Sequence, residues 1–240
     1  MKGTRPLTNS EIRRVIAAFD GTFEIRNRSL FLLGVSIGGR VSEMLAIKVE
    51  DVWQNDKPVT DFQFDLAIVK GRETSRTIPV NRDGIAAICD VIEWHQQHFG
   101  DIDPSRPLFP SRKKTGGKVV AAKRQAIHKI LKDAFIKAGL NGKLATHTLR
   151  KTFAQRFYQK VGDIYMVREL LGHKNVTTTQ AYIGINYTDA REACESMSLA
   201  AEDNKTDPFD AFTEAEIVTK LISLGYTVRK DKCEALYCNP

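Results

Sequence analysis

Strand-like alternation is confined to one short stretch of this chain, and the residues around it keep helical period. Residues 62–70 read as a strand, alternating apolar and polar over 62–65 and apolar over 66–69, residues 71–74 have the composition of a turn, and residues 76–80 read as the returning strand. Residues 49–53 are a candidate third strand of the same small sheet. Elsewhere apolar residues recur three and four positions apart, as on a helix face packed against a core. The expected fold class is therefore mainly α with a small antiparallel β-sheet, an α+β arrangement.

The helical segments carry their own punctuation. Thr8 with Glu11 reads as a capping box opening a helix through about residue 19. A second run covers residues 26–37, with Leu30, Leu33, Gly34 and Ile37 on one face; Gly38-Gly39 ends it, and residues 42–47 restart as a short helix. Residues 85–99 form another helix, the prolines at 104, 107 and 110 mark an irregular connection, and residues 111–118 read as a basic, glycine-containing loop. A long helix is expected over 119–138, ending at Gly139, and further helices over 147–159, 164–171, 176–182 and 190–200. Residues 202–208 have the polar composition of a linker, and Thr213 with Glu216 caps a final helix bearing Ile217, Val218, Leu221 and Leu224.

Composition narrows the partners. The 36 basic side chains exceed the 29 acidic ones, for a net charge of +7, which favours polyanions. The four cysteines (Cys89, Cys194, Cys233, Cys238) form no CxxC pair and have no histidine at zinc-ligand spacing. Reduced thiols and no metal site are expected, with a Cys233–Cys238 disulfide open only to an oxidising compartment. Neither a signal segment nor a run near the ~18 apolar residues of a membrane span is visible, so the expectation is a soluble, cytoplasmic chain with no membrane partner.

Six residues suit phosphodiester chemistry: Arg40, Lys70, His147, Arg150, His173 and Tyr182. In the five-coordinate transition state, charge gathers on the non-bridging oxygens, and preorganised donors there are the main source of catalysis. Arginine fits because its planar fork gives paired hydrogen bonds and keeps its charge; Arg40 and Arg150 are the candidates. His147 and Arg150 lie three apart on an expected helix, with Thr146 as a candidate N-cap, so they share a face in its first turn. Gly172 can end a helix and let His173 project toward an anion. Tyr182 is the candidate nucleophile; a phenol with a pKa near ~10 must lose its proton during attack, and His147 could take it. Tyr187 is the rival, five residues on. Lys70, at the expected hairpin tip, could protonate the leaving oxygen, with Lys48, Lys57 and Arg72 as weaker rivals. Glu43, three residues after Arg40, could orient it, although a structural role at the helix start is favoured. Each residue alone has an ordinary structural explanation; the argument rests on their coincidence in order and spacing.

At Gly38-Gly39-Arg40-Val41-Ser42-Glu43, Lys70-Gly71, His147-Thr148-Leu149-Arg150, Leu171-Gly172-His173 and Thr178 to Tyr182, the chain resembles the tyrosine recombinase (phage integrase) family. The resemblance spans residues 6–200. It implies a mostly helical catalytic domain over 1–201, like that of type IB topoisomerases. It also implies a site-specific recombinase or integrase that needs neither metal nor nucleotide cofactor. Tyr182 would attack the scissile phosphate of double-stranded DNA, leaving a 3′-phosphotyrosyl link and a free 5′-hydroxyl. Arg40, Arg150 and His173 would hold the phosphate, Lys70 would be the general acid and His147 the general base. A homo-tetramer on two DNA sites is implied, with nucleoid association, and residues 202–240 are a plausible segment exchanged between protomers. The family's usual N-terminal core-binding domain of ~100 residues is expected to be absent from this chain, because the catalytic pattern begins almost at Met1. Lys113, Lys114, Lys118, Lys123, Arg124, Lys151 and Lys174 are the candidate DNA contacts. Two other functions use the same residues or fold: supercoil relaxation without strand exchange, and DNA binding without turnover.

Overall fold

Helix α2 (Glu24–Ile37) explains most of the architecture, because from Ser29 to Ile37 every residue but Leu32 is buried. Only one apolar face was expected of it. Instead Ser29, Gly34 and Ser36 are enclosed along with Leu30, Phe31, Leu33, Val35 and Ile37. The computed structural model describes residues 3–65 and 75–183, and beyond them only 191, 194–197, 213 and 219. The chain divides into two compact units, Met1–Gly184 and Ile185–Pro240.

In the first unit α2 packs against helix α5 (Arg82–Phe99), helix α7 (His147–Val161) and helix α1 (Asn9–Ala17). Helix α1 opens on the expected capping box: Thr8 Oγ1 accepts from Glu11 N–H at 3.3 Å and Glu11 Oε2 accepts from Thr8 N–H at 2.9 Å. The chain before it is pinned to α7, since buried Thr152 Oγ1 accepts from Leu7 N–H at 2.9 Å. Helices α2 and α7 approach closely where Gly34 faces Leu149; a Cβ on that glycine would lie 2.5 Å from Leu149 Cδ2.

Gly38 ends α2 in the left-handed region (φ 61), and short helix α3 (Val41–Met44) follows at once. A turn of helix, α4 (Val49–Val52), then leads into strand β1 (Trp53–Gln54), which pairs with β2 (Lys57–Pro58). Asn55 and Asp56, both at positive φ, make the tight turn between them. The expected third strand over 49–53 is thus mostly helical. Asp51 Oδ2 accepts from Lys48 N–H at 2.7 Å, an N-terminal cap that selects a helical turn over extension.

The expected hairpin is present as a separate two-stranded sheet. Strands β3 (Asp61–Phe64) and β4 (Arg76–Pro79) pair antiparallel, with Phe62 opposite Ile78 and Phe64 opposite Arg76. Phe62, Phe64 and Ile78 are buried, worth about 1.5–3 kcal/mol each. Residues 66–74, including Lys70 and Arg72, lie outside the described residues.

Helix α6 (Arg124–Lys137) starts five residues later than expected. Residues 118–122 are extended instead, because Ser111 N–H donates to Val120 O and Ala122 N–H to Phe109 O. Thr115 and Lys118 exchange both backbone hydrogen bonds around Gly116-Gly117, so the basic loop is a small hairpin. Helices α8 (Ile164–Leu171) and α9 (Val176–Ile183) close the unit, packing on α7 and on each other.

In the second unit Arg191 and Glu195 form an exposed i,i+4 ion pair at 3.4 Å. The expected boundary near 201, the linker, most of the final helix, Tyr187, Cys233 and Cys238 lie outside the described residues. Cys89 and Cys194 are exposed free thiols. Among the described residues, no helix is long and apolar enough to cross a membrane.

Candidate active site

Two glycines place the first arginine. A Cβ on Gly38 would overlap the Phe153 ring, and one on Gly39 would sit 2.8 Å from Met44 Sδ and 3.0 Å from Phe64 Cζ. Only a bare backbone fits between α7, α3 and the β3–β4 sheet, and it delivers Arg40 to the N-terminus of α3.

Glu43 then ties the arginines together. Its Oε1 accepts from Arg40 Nη1 at 2.7 Å; its Oε2 accepts from Arg40 N–H at 2.8 Å and from Arg76 Nη2 at 2.7 Å. Arg150 Nη1 lies 3.9 Å from the same Oε2. Burial pushes the Glu43 carboxyl up, but the Arg76 charge, Arg40 N–H and the two guanidinium hydrogen bonds override it and hold it at about 2.

Arg150, on the first turn of α7, is 1% exposed. Its Nη1 donates to Gly38 O at 2.7 Å and its Nη2 to Leu171 O at 2.5 Å, so it joins the end of α2 to the end of α8. Burial, then the Arg40 charge, lowers its pKa to about 9, which leaves it charged at neutral pH. Thr146 does not cap this helix: its backbone is already helical and its side chain makes no cap hydrogen bond. Thr148 Oγ1 serves that turn instead, accepting from Ala145 N–H at 3.1 Å.

Gly172, at φ 59, stops α8, and His173 N–H donates back to Arg168 O at 3.0 Å. The buried His173 ring shares a 3.0 Å hydrogen bond between Nδ1 and Thr179 Oγ1. It also meets the Tyr182 ring edge to face at 5.0 Å between centroids. Tyr182 Oη lies 3.4 Å from His147 Nδ1, a long hydrogen bond. Lys151 Nζ sits 5.5 Å from the centroid of the Tyr182 ring. Partial burial, then the charges of Arg150, Arg124, Arg40 and Lys151, push the His147 pKa below its ordinary value, so the imidazole is neutral at pH 7 and can accept a proton.

A cleft of about 260 Å³ opens among these groups, lined by Gly39, Arg40, Ser42, Arg124, His147 and Arg150 with Val41 and Thr146. Arg40, His147 and Arg150 therefore line one basic cleft, with Glu43 joining the two arginines and Tyr182 joining His147 to His173; Lys70 lies outside the described residues. Of the expected DNA contacts, Arg124 lines the cleft and Lys151 flanks it beside Tyr182. Lys113, Lys114 and Lys118 are exposed on the small hairpin, Lys123 just before α6 and Lys174 after His173. Among the described residues, no three His, Cys, Asp or Glu side chains are grouped to hold a metal ion.

Arg76 was not singled out from the sequence. Its signal was strand phase: it falls on the inward side of β4 with Ile78, where an apolar residue is the usual occupant. Glu43 does more than start α3, because it also orients Arg40.

The phage integrase family model matches residues 5–189. Tyrosine recombinase XerD of Mycobacterium leprae (strain TN) is 31% identical over 176 residues, covering 72% of this chain and 52% of that protein. The chain thus spans about half the length of that relative. In fold it is similar to the crystal structure of XerA recombinase (TM-score 0.63, 23% identity, 81% of this chain and 64% of that one). It is also similar to the XerH site-specific recombinase bound to difH substrate in a pre-cleavage complex (TM-score 0.58, 22% identity, 81% and 55%). With the match running over most of its length and the site assembled from the motif residues, the chain belongs to the phage integrase family of tyrosine recombinases.

Proposed function

We propose that this chain cuts and rejoins double-stranded DNA at specific sites through a 3′-phosphotyrosyl intermediate on Tyr182. The observation that carries the reading is the juxtaposition of the Tyr182 hydroxyl, 3.4 Å from a neutral His147, with the cleft that Arg40 and Arg150 line. A phosphate in that cleft meets two guanidinium groups held in advance of binding, which is where transition-state charge needs donors. His147 takes the phenolic proton as Oη bonds to phosphorus, and the phosphorus–5′-oxygen bond breaks. That oxygen leaves with a proton, for which Lys70 is the assigned donor. Because the phosphotyrosyl ester retains the bond energy, a 5′-hydroxyl from the same or another strand reverses the step.

His173 holds a non-bridging oxygen, and its bond to Thr179 fixes the ring on the same helix that carries the nucleophile. Arg124 and Lys151 contact phosphates beside the scissile one; Lys113, Lys114, Lys118, Lys123 and Lys174 extend the basic surface along the backbone. The XerH structure is a DNA complex, in keeping with a duplex partner here. Strand exchange between two duplexes calls for a tetramer, with residues 202–240 passed between protomers.

Incubation with a library of duplexes carrying a 5′-bridging phosphorothiolate tests this reading, since the thiol leaving group prevents religation and traps the ester. A DNA-linked protein band is expected, absent in Tyr182→Phe. A band that survives in Tyr182→Phe and vanishes in Tyr187→Phe would move the nucleophile. Salt-sensitive binding without adduct on any duplex would leave a DNA-binding protein only, and plasmid relaxation without recombinants would make it a topoisomerase.

A further inference from the structure

The Arg76 side chain is 7% exposed and is not among the residues that line the cleft. Its guanidinium carbon stands 4.0 Å from the centroid of the Phe64 ring on the neighbouring strand. One nitrogen, Nη2, reaches Glu43. Nε and Nη1 are buried without a hydrogen-bond partner among the described residues. Two idle buried donors are a standing loss of stability, so packing alone does not account for an arginine at this position. Its surroundings also rule out direct contact with DNA, because the ring covers one side and Glu43 the end of the fork.

We propose that Arg76 is a positioning residue for strand cleavage: by completing the ion cluster on Glu43 it fixes the Arg40 guanidinium that receives the scissile phosphate. This rests on the functional reading above. Three cations face Glu43: Arg40 from the start of α3, Arg76 from β4 and Arg150 from α7. Arg150 is already committed to two backbone carbonyls and stands 3.9 Å away, and Arg40 is the cation that must stay available to DNA. Arg76 is thus the cation whose whole connection to the site is the carboxylate. Without it, a buried carboxylate is left with too little positive charge and either takes up a proton or turns toward Arg150. Either change releases Arg40, whose only side-chain hydrogen bond among the described residues is the one Glu43 accepts.

The test compares the unmodified chain with Arg76→Gln and Arg76→Lys, each checked for folding by thermal melting. The first readout needs no DNA: the rate at which phenylglyoxal modifies Arg40, followed by mass spectrometry. Arg76→Gln should raise it several-fold and Arg76→Lys by less, because an ammonium restores the charge but not the fork. The second readout is the rate of adduct formation at saturating duplex. Arg76→Gln should slow it on the order of 100-fold, as expected of a misplaced catalytic group. It should also steepen the acid fall in rate beyond that of the unmodified chain, as Glu43 protonates without its Arg76 partner, and Arg76→Lys should bring the profile back toward that of the unmodified chain. Unchanged Arg40 reactivity in a folded Arg76→Gln or Arg76→Lys protein would overturn the proposal, as would an unchanged cleavage rate in Arg76→Gln. Should Arg76→Gln not fold, Arg76→Lys decides, since it too must raise the reactivity of Arg40, with Glu43→Gln marking the reactivity of an Arg40 that has lost the carboxylate itself. An unmodified chain that forms no adduct on any duplex refutes the functional reading instead, and the reactivity of Arg40 still settles whether Arg76 holds it.

Discussion

Arg150 and Tyr182 reach the same hollow from differently built supports. Arg150 is enclosed, bonded to the last carbonyls of two other helices and close to a buried carboxylate. Tyr182 rides on an eight-residue helix with one fully buried side chain, Thr179; it is itself only partly buried and meets the site through a 3.4 Å contact with His147, the His173 ring edge and Lys151 over its own ring. Phosphate-holding groups work best when prepaid in position, because any reorganisation during reaction subtracts from the charge stabilisation they offer. A nucleophile must approach phosphorus and later withdraw, so a lightly anchored helix suits it. In the proposed reaction rigidity is thus distributed by role, with Arg150, the phosphate clamp, set into the core and Tyr182, the attacking group, at its margin.

The widest separation between the two supports should come from Tyr182→Phe and Arg150→Ala. Tyr182→Phe should eliminate the trapped adduct, yet change unfolding free energy by no more than about 0.5 kcal/mol. Arg150→Ala should slow adduct formation on the order of 100- to 1000-fold and also cost about 3–5 kcal/mol in denaturant unfolding. A Tyr182→Phe protein as unstable as Arg150→Ala would break the comparison.

Acid should expose the next difference. The His147 pKa is lowered, so its protonated form is disfavoured in the folded chain and the ring stays neutral above its ordinary value of 6.5. Adduct formation should be level from pH 7 upward and fall about tenfold per pH unit once His147 protonates, below 6.5. The same shift means the unfolded chain binds more protons as pH drops through 6.5, so this residue lowers stability there on the acid side. Glu43, held at about 2, keeps the arginine cluster intact well below that range. A loss of activity centred above 6.5 would remove His147 as the base.

Smaller effects should sharpen the picture. Gly39→Ala forces a Cβ against Met44 and Phe64 and should cost about 1–3 kcal/mol by overpacking, with slower cleavage because Arg40 follows directly. Thr179→Val keeps the volume but deletes the hydrogen bond to His173. It should cost about 0.5–1.5 kcal/mol and slow adduct formation by roughly tenfold as the ring loses its orientation. Thr8→Ala, far from the cleft, should cost about 1 kcal/mol through the lost cap and leave cleavage per folded molecule unchanged.

Much of this was legible in the chain alone, for reasons that are local. The Thr8–Glu11 box, the Gly38 and Gly172 stops and the Phe62–Phe64 alternation each act within a few residues, and each is present in the structure. The errors were competitions between local propensity and a hydrogen bond made by a nearby segment or side chain. Residues 118–122 are extended because they pair with 109–115, and Asp51 turned an expected strand into a helical turn. Tyr182, His173, His147, Arg150 and Arg40 could be chosen by residue type and spacing, since the chemistry of a phosphodiester asks for those groups. Their convergence could not, because it depends on α2, α7 and α8 meeting where Arg150 bonds Gly38 O and Leu171 O. Arg76 lies beyond local reading altogether: its place under Glu43 exists only once β4 has packed beside α3, and a buried carboxylate selects its cations by distance in space.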